Sequence, residues 1–109
     1  MGEHMVIREW RGRAALDKAE SYPAHFRNNV VPELRQIPGF RGAYLSRRST
    51  AGHVEFLVLT RWDSTDAIHA FAGDDAERAV VEPGGVAALA DFDPHVRHYE
   101  VLEDVSAPG

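Results

Sequence analysis

The chain has 109 residues, a formal net charge of −5 and no cysteine. That length makes a single domain with a sizeable core, and the missing thiols exclude disulfides, thiolate-bound metals and a cysteine nucleophile. The acidic balance argues against a nucleic-acid partner, whose binding rests on Lys and Arg neutralising phosphates; Arg47-Arg48 is the one adjacent basic pair.

No long apolar run opens the chain, so neither a signal peptide nor a membrane span is expected, and the expected location is cytoplasmic. Residues 5–102 read as the domain, with residues 1–4 and 103–109 as flexible termini. Val6, Ile7 and Trp10 mark a first strand between Met5 and Arg13. Leu16, Ala19, Tyr22, Phe26, Val30, Leu34 and Ile37 then recur every three or four residues. This is the stripe of an amphipathic helix, and Pro23 and Pro32 should bend it near Tyr22 and Val31. Pro38-Gly39 stops the helix, Phe40 to Arg48 forms a second strand, and the polar turn Ser49-Thr50-Ala51-Gly52 leads into a third.

In the third strand, Glu55 to Trp62, side chains alternate so that Phe56, Val58 and Trp62 face one way and Leu57 and Leu59 the other. Both faces of the sheet therefore need cover, and a chain this short has helix enough for one layer. A second copy is expected to cover the other face, making a homodimer. Asp63 or Ser64 caps the next helix, which carries Ala67, Ile68 and Phe71 and ends at Gly73. Asp74 to Val81 suggests one or two further helical turns. Pro83-Gly84-Gly85 reads as a breaker, predicting a mobile flap over Glu82 to Val86, and His95 to Leu102 is the last strand. The order β-α-β-β-α-β predicts an α+β, ferredoxin-like fold on an antiparallel sheet.

Several side chains are candidates for chemistry. Trp62 is either a pocket wall or a core residue near a helix start. His69 lies mid-helix and titrates in the range that suits proton transfer, while Glu9 would act as a base if the first strand turned it inward, where burial raises its pKa. Tyr44 and Ser46 share a strand face and can donate hydrogen bonds to a ligand, as can Tyr99; Val58 and Phe71 complete the expected substrate wall. His95 and His98, three apart on a strand, point to opposite faces and do not clasp one ion. No metal site is expected, and no phosphate loop, nucleophile elbow or dinucleotide fingerprint is present to imply a cofactor.

Three segments carry a family resemblance: Leu34-Arg35-Gln36-Ile37-Pro38-Gly39-Phe40-Arg41-Gly42-Ala43-Tyr44, Phe56 to Trp62 with Asp63-Ser64, and Ala67-Ile68-His69-Ala70-Phe71. Together they resemble the antibiotic biosynthesis monooxygenase-like family over about Met5 to Leu102. The resemblance implies a dimeric α+β barrel, two sheets packed face to face with a pocket in each subunit between sheet and helices. Trp62 matches the pocket tryptophan of members that oxidise aromatic polyketides without a cofactor, but their polar positions fall at Val58, Ser46 and Ile68. Those of the haem-degrading members fall at Glu9 or Trp10, Phe71 and Val81, so haem turnover is not expected. The expected function is a cofactor-independent monooxygenase acting on a small aromatic or polyketide-like compound, with Trp62 stacking on the substrate and His69 or Glu9 managing the proton. The alternative is a non-catalytic dimeric ligand-binding domain of the same fold.

Overall fold

The computed structural model of the protein describes residues 4–108; the rest of the two expected flexible termini lies outside them. β1 (Val6–Ala14), β2 (Phe40–Ser49) and β3 (Val54–Trp62) are the long strands of one antiparallel sheet in the order β2-β3-β1. Two short strands, β4 (Asp91–Phe92) and β5 (Arg97–Glu100), pair in turn with the far edge of β1. Burial alternates along β1 and β3 without a break, as a pleated strand with one covered face requires. On the covered face stand Val6, Arg8, Trp10 and Ala14 from β1, and Val54, Phe56, Val58, Thr60 and Trp62 from β3. Leu57 and Leu59 point to the open face, where they are half-buried.

The covering layer begins with one irregular helical stretch. A 3-10 turn (Leu16–Lys18) leads to α1 (Ser21–His25), a π turn (Phe26–Val30) and α2 (Val31–Leu34). The bend expected from the prolines takes the form of that π turn: Pro32 has no N–H to give, and just before it Val31 N–H reaches back five residues to Phe26 O. Tyr22 and Phe26 pack with Trp10 and Phe56 in the larger apolar cluster, while Leu34 joins Val6, Trp62 and Ile68 in the smaller. Gly39 turns the chain into β2 with φ +91, and a Cβ there would lie 2.5 Å from that of Ala67. Only glycine meets both demands. α3 (Thr65–Ala72) starts on Ser64, whose Oγ accepts from Ala67 N–H at 3.2 Å, and ends at Gly73.

Beyond Gly73 the chain departs from expectation. Asp74 to Val81 forms no helix; instead Arg78 bridges to His95, Ala79 N–H donates to Pro94 O at 2.9 Å and Val96 N–H to Glu77 O at 2.8 Å. Pro83-Gly84-Gly85 is neither a breaker nor a flap but the first turn of α4 (Pro83–Ala88). Proline suits a first helical position, and the glycines let α4 approach α1: a Cβ on Gly84 would lie 2.8 Å from His25 Nδ1. The last strand expected over His95 to Leu102 is present but shorter, as β5, and an extra short strand, β4, precedes it across Pro94, which has no N–H for a ladder. The whole is α+β and ferredoxin-like. Among the described residues no helix is long and apolar enough to cross a membrane.

Candidate functional site

Between the sheet and the helical layer lies a cavity of about 60 Å³. Trp10, Val58 and Thr60 form its sheet wall, Tyr22, His25 and Phe26 its helical wall, and Val80, Val81 and Glu82 its rim. Arg8 lines it as well and is only 4% exposed. Its place follows from the pleat, because it shares the covered face of β1 and stands opposite Thr60 on β3 and His98 on β5. Nη2 donates to Arg78 O at 2.8 Å, while Nη1 donates to Ala76 O and, at 3.0 Å, to His98 Nε2. The guanidinium rests over the Phe71 ring, with Cζ 5.6 Å from its centroid.

No carboxylate accompanies this cation among the ion pairs of the described residues. Burial lowers the Arg8 pKa to about 10, whereas a close carboxylate would have raised it; Arg8 stays charged at neutral pH. Because arginine only donates, His98 Nε2 must accept and its proton sits on Nδ1. Burial, then the charge on Arg8, lowers the His98 pKa and favours that neutral ring.

The other end of the cavity has the opposite character. Tyr22 is buried against Trp10 and Phe56, with ring centroids 5.7 Å and 5.4 Å away. Burial, then the negative charge of Glu82, pushes its pKa up, so its hydroxyl stays protonated and able to donate. His25 Nδ1 lies 3.1 Å from Asn29 Nδ2, and its Nε2 lies 3.9 Å from Glu82 Oε1. The cavity is thus positive at Arg8 and negative at Glu82.

Of the residues expected at a site, Val58 and Phe71 line this cavity. Trp62 does not: it has no exposed surface, packs on Phe40 and Phe71 at 5.4 Å and 5.7 Å, and donates from Nε1 to Thr60 Oγ1 at 2.7 Å. It braces the wall from behind. His69 is exposed on α3, with Nδ1 2.8 Å from Gly73 O, and closes the helix end. Glu9, Tyr44 and Ser46 stand on the open face, Glu9 and Tyr44 opposite Leu59 and Ser46 opposite Leu57; Glu9 is paired with Arg11 at 3.0 Å. The strand pleat therefore turns these three away from the cavity. Arg8, Tyr22 and His25 are the polar groups that the sequence reading missed. For Arg8 a signal existed, since it falls in the period-two series of Val6, Trp10 and Ala14. Among the described residues no group of three or more His, Asp or Glu side chains is placed to hold a metal.

Comparison with solved structures shows the same fold across proteins of low identity. The heme-degrading protein from Mycobacterium tuberculosis is 20% identical, with 96% of this chain and 99% of that one covered and a TM-score of 0.68. A cofactor-independent oxygenase from Streptomyces nogalater is 17% identical, with 98% and 99% covered and a TM-score of 0.55. A monooxygenase from Streptomyces coelicolor, in complex with nanaomycin D, is 12% identical, with 98% and 93% covered and a TM-score of 0.55. Among curated proteins the sequence finds no match. The model of the antibiotic biosynthesis monooxygenase family matches residues 4–83, from the first strand of the sheet through the rim of the cavity, and the chain belongs to that family.

Proposed function

We propose that the protein is a cofactor-independent monooxygenase acting on a small aromatic compound bound in the cavity between sheet and helices. The observation that carries this reading is the buried Arg8 guanidinium, without a carboxylate partner among the described residues, in a cavity walled by Trp10, Tyr22, Phe26 and Phe71. Aromatic walls hold a flat ligand, and a preorganised cation in a dry site favours the ionised form of a phenol or enol. Such an anion can itself reduce dioxygen: one electron passes to oxygen, the radicals join as a carbon-bound peroxide, and loss of water leaves a carbonyl. A phenol with an open ring position and one dioxygen thus give a quinone and one water. Arg8 stabilises the oxyanion, the protonated Tyr22 hydroxyl donates to an oxygen at the other end of the ligand, and the proton leaves towards His25 and Glu82. These take the place first given to His69 and Glu9, which face elsewhere. A second copy of the chain is the expected cover for the open face of the sheet.

Haem, which the name of the mycobacterial relative implies, does not fit the residues present. Sites for drug-sized ligands run to roughly 300–1,000 Å³, whereas this cavity holds about 60 Å³, and the family resemblance puts Val81 where the haem-degrading members have their histidine. Added haem should therefore show neither a sharp Soret shift nor degradation under reductant. The small volume also favours one second reading, a non-catalytic ligand-binding domain. A larger ligand has to displace the rim at Val80 to Glu82, which belongs to a stretch without helix or strand. Oxygen uptake by metal-free protein decides between the two readings, with anthrone-like and hydroquinone-like compounds as substrates. Uptake above the spontaneous rate, reduced in Tyr22→Phe, is the expected result; ligand binding with no uptake leaves the non-catalytic domain.

A further inference from the structure

We propose that the cavity selects a small monoanion with an apolar body, its charge seated on Arg8 and its body against Trp10 and Tyr22, away from Glu82. This names the substrate class of the site described above and rests on that cavity being the binding site, its rim at Val80 to Glu82 displaced to admit an aromatic ring, since about 60 Å³ is less than the roughly 150 Å³ that holds benzene. Arginine carries five N–H donors, and three of those on Arg8 are engaged by Ala76 O, Arg78 O and His98 Nε2. Among the described residues Nε–H and one Nη2–H are left without a partner, donors of the kind that hold a carboxylate or a phenolate oxygen. Among the described residues none supplies the partners they lack: Arg8 is 4% exposed, its three acceptors are all neutral, and its pKa is lowered by burial. A buried cation left this way is costly, and an anion entering beside it offsets that cost.

The far end sets the limit on charge. Glu82 acts on Tyr22 and lies 3.9 Å from His25, so a second anionic group reaching the rim meets a like charge. Tyr22, held protonated, instead offers a donor to a neutral oxygen there. The preferred ligand is consequently charged at one end only.

Calorimetric titration of the full chain at pH 7.5 and low salt tests this with benzoate, benzamide and terephthalate as probes. Benzoate is expected to bind at least about tenfold more tightly than its neutral isostere benzamide, the scale of a charge-assisted hydrogen bond, and more tightly than the dianion terephthalate by a similar factor. Arg8→Gln should abolish the preference for benzoate over benzamide, and Glu82→Gln should narrow the gap between benzoate and terephthalate. Should Arg8→Gln fail to fold, the three probes on the parent protein and Glu82→Gln decide alone. Benzamide binding as tightly as benzoate overturns the charge assignment but leaves the cavity reading intact. So does oxygen uptake with neutral phenolic compounds when benzoate does not bind. Absence of both binding and uptake overturns the two together.

Discussion

Trp62 and Tyr22 show how differently two buried aromatic residues serve the same wall. Trp62 has no exposed surface and no place on the cavity, so Trp62→Ala should act through packing, costing about 3–5 kcal/mol of stability in urea unfolding. Tyr22 lines the cavity, and its hydroxyl has no hydrogen bond among the causes of its raised pKa. Tyr22→Phe should therefore change stability by less than about 1 kcal/mol while weakening ligand binding. His98 adds a dependence on pH. Its folded pKa is lowered by burial and by Arg8, below an unfolded value of about 6.5. Between the two values the unfolded chain binds more protons, so this stability is present above the unfolded value and lost as pH falls through the folded one. The urea midpoint should drop between about pH 7.5 and pH 5.5, and His98→Gln, which keeps an acceptor for Arg8, should flatten that drop.

At the level of elements, α4 is held by an absence of side chains. Its Gly84 and Gly85 lie against His25, and Gly84→Ala would force either the imidazole or the helix to move. The expected cost is about 1–3 kcal/mol, the usual range for overpacking, read as a lowered midpoint of thermal unfolding. The same contact explains why this region was misread. A Pro-Gly-Gly run is a local turn signal, and only the tertiary fit to α1 makes it helical. Where local and tertiary demands agree, the sequence was legible: the alternation in β3, the Ser64 cap and the bend near the prolines all appear in the fold, whereas the helix expected to run to Pro38-Gly39 already ends at Leu34. The site was harder to read. Tyr22 looked like one more member of a helical stripe, His25 depends on the approach of α4, and Arg8 between Ile7 and Glu9 looked like surface charge. Glu9, Tyr44 and Ser46 drew notice for their chemistry, but strand parity puts them on the opposite face from Phe56 and Val58.

The molecule measures only 22 Å through its thinnest direction, the depth of one sheet and one helical layer. Its second sheet face is therefore bare within a single chain, where Leu57, Leu59 and Ile7 are only partly covered and Tyr44 is exposed. Of the charges beside them, Glu9 pairs with Arg11 and Glu55 with Arg48, both at 3.0 Å, while Arg61, opposite Ile7, has no carboxylate partner among the described residues. The paired charges can be covered by another copy at little cost, whereas Arg61 needs an acceptor from that copy or a place at the solvent edge, because a lone charge in an interface is strongly disfavoured. Leu57 lies on the central strand of this face, between Arg11 of β1 and Ser46 of β2. Leu57→Asp should place an unpaired carboxylate where apolar surface is needed, splitting the expected dimer while leaving the helix-side core untouched. Sedimentation at low micromolar concentration is the measurement: the parent should run as a dimer and Leu57→Asp as a monomer with an unchanged far-ultraviolet spectrum. A parent protein that runs as a compact monomer would rule out the second copy as cover and leave the open face solvated.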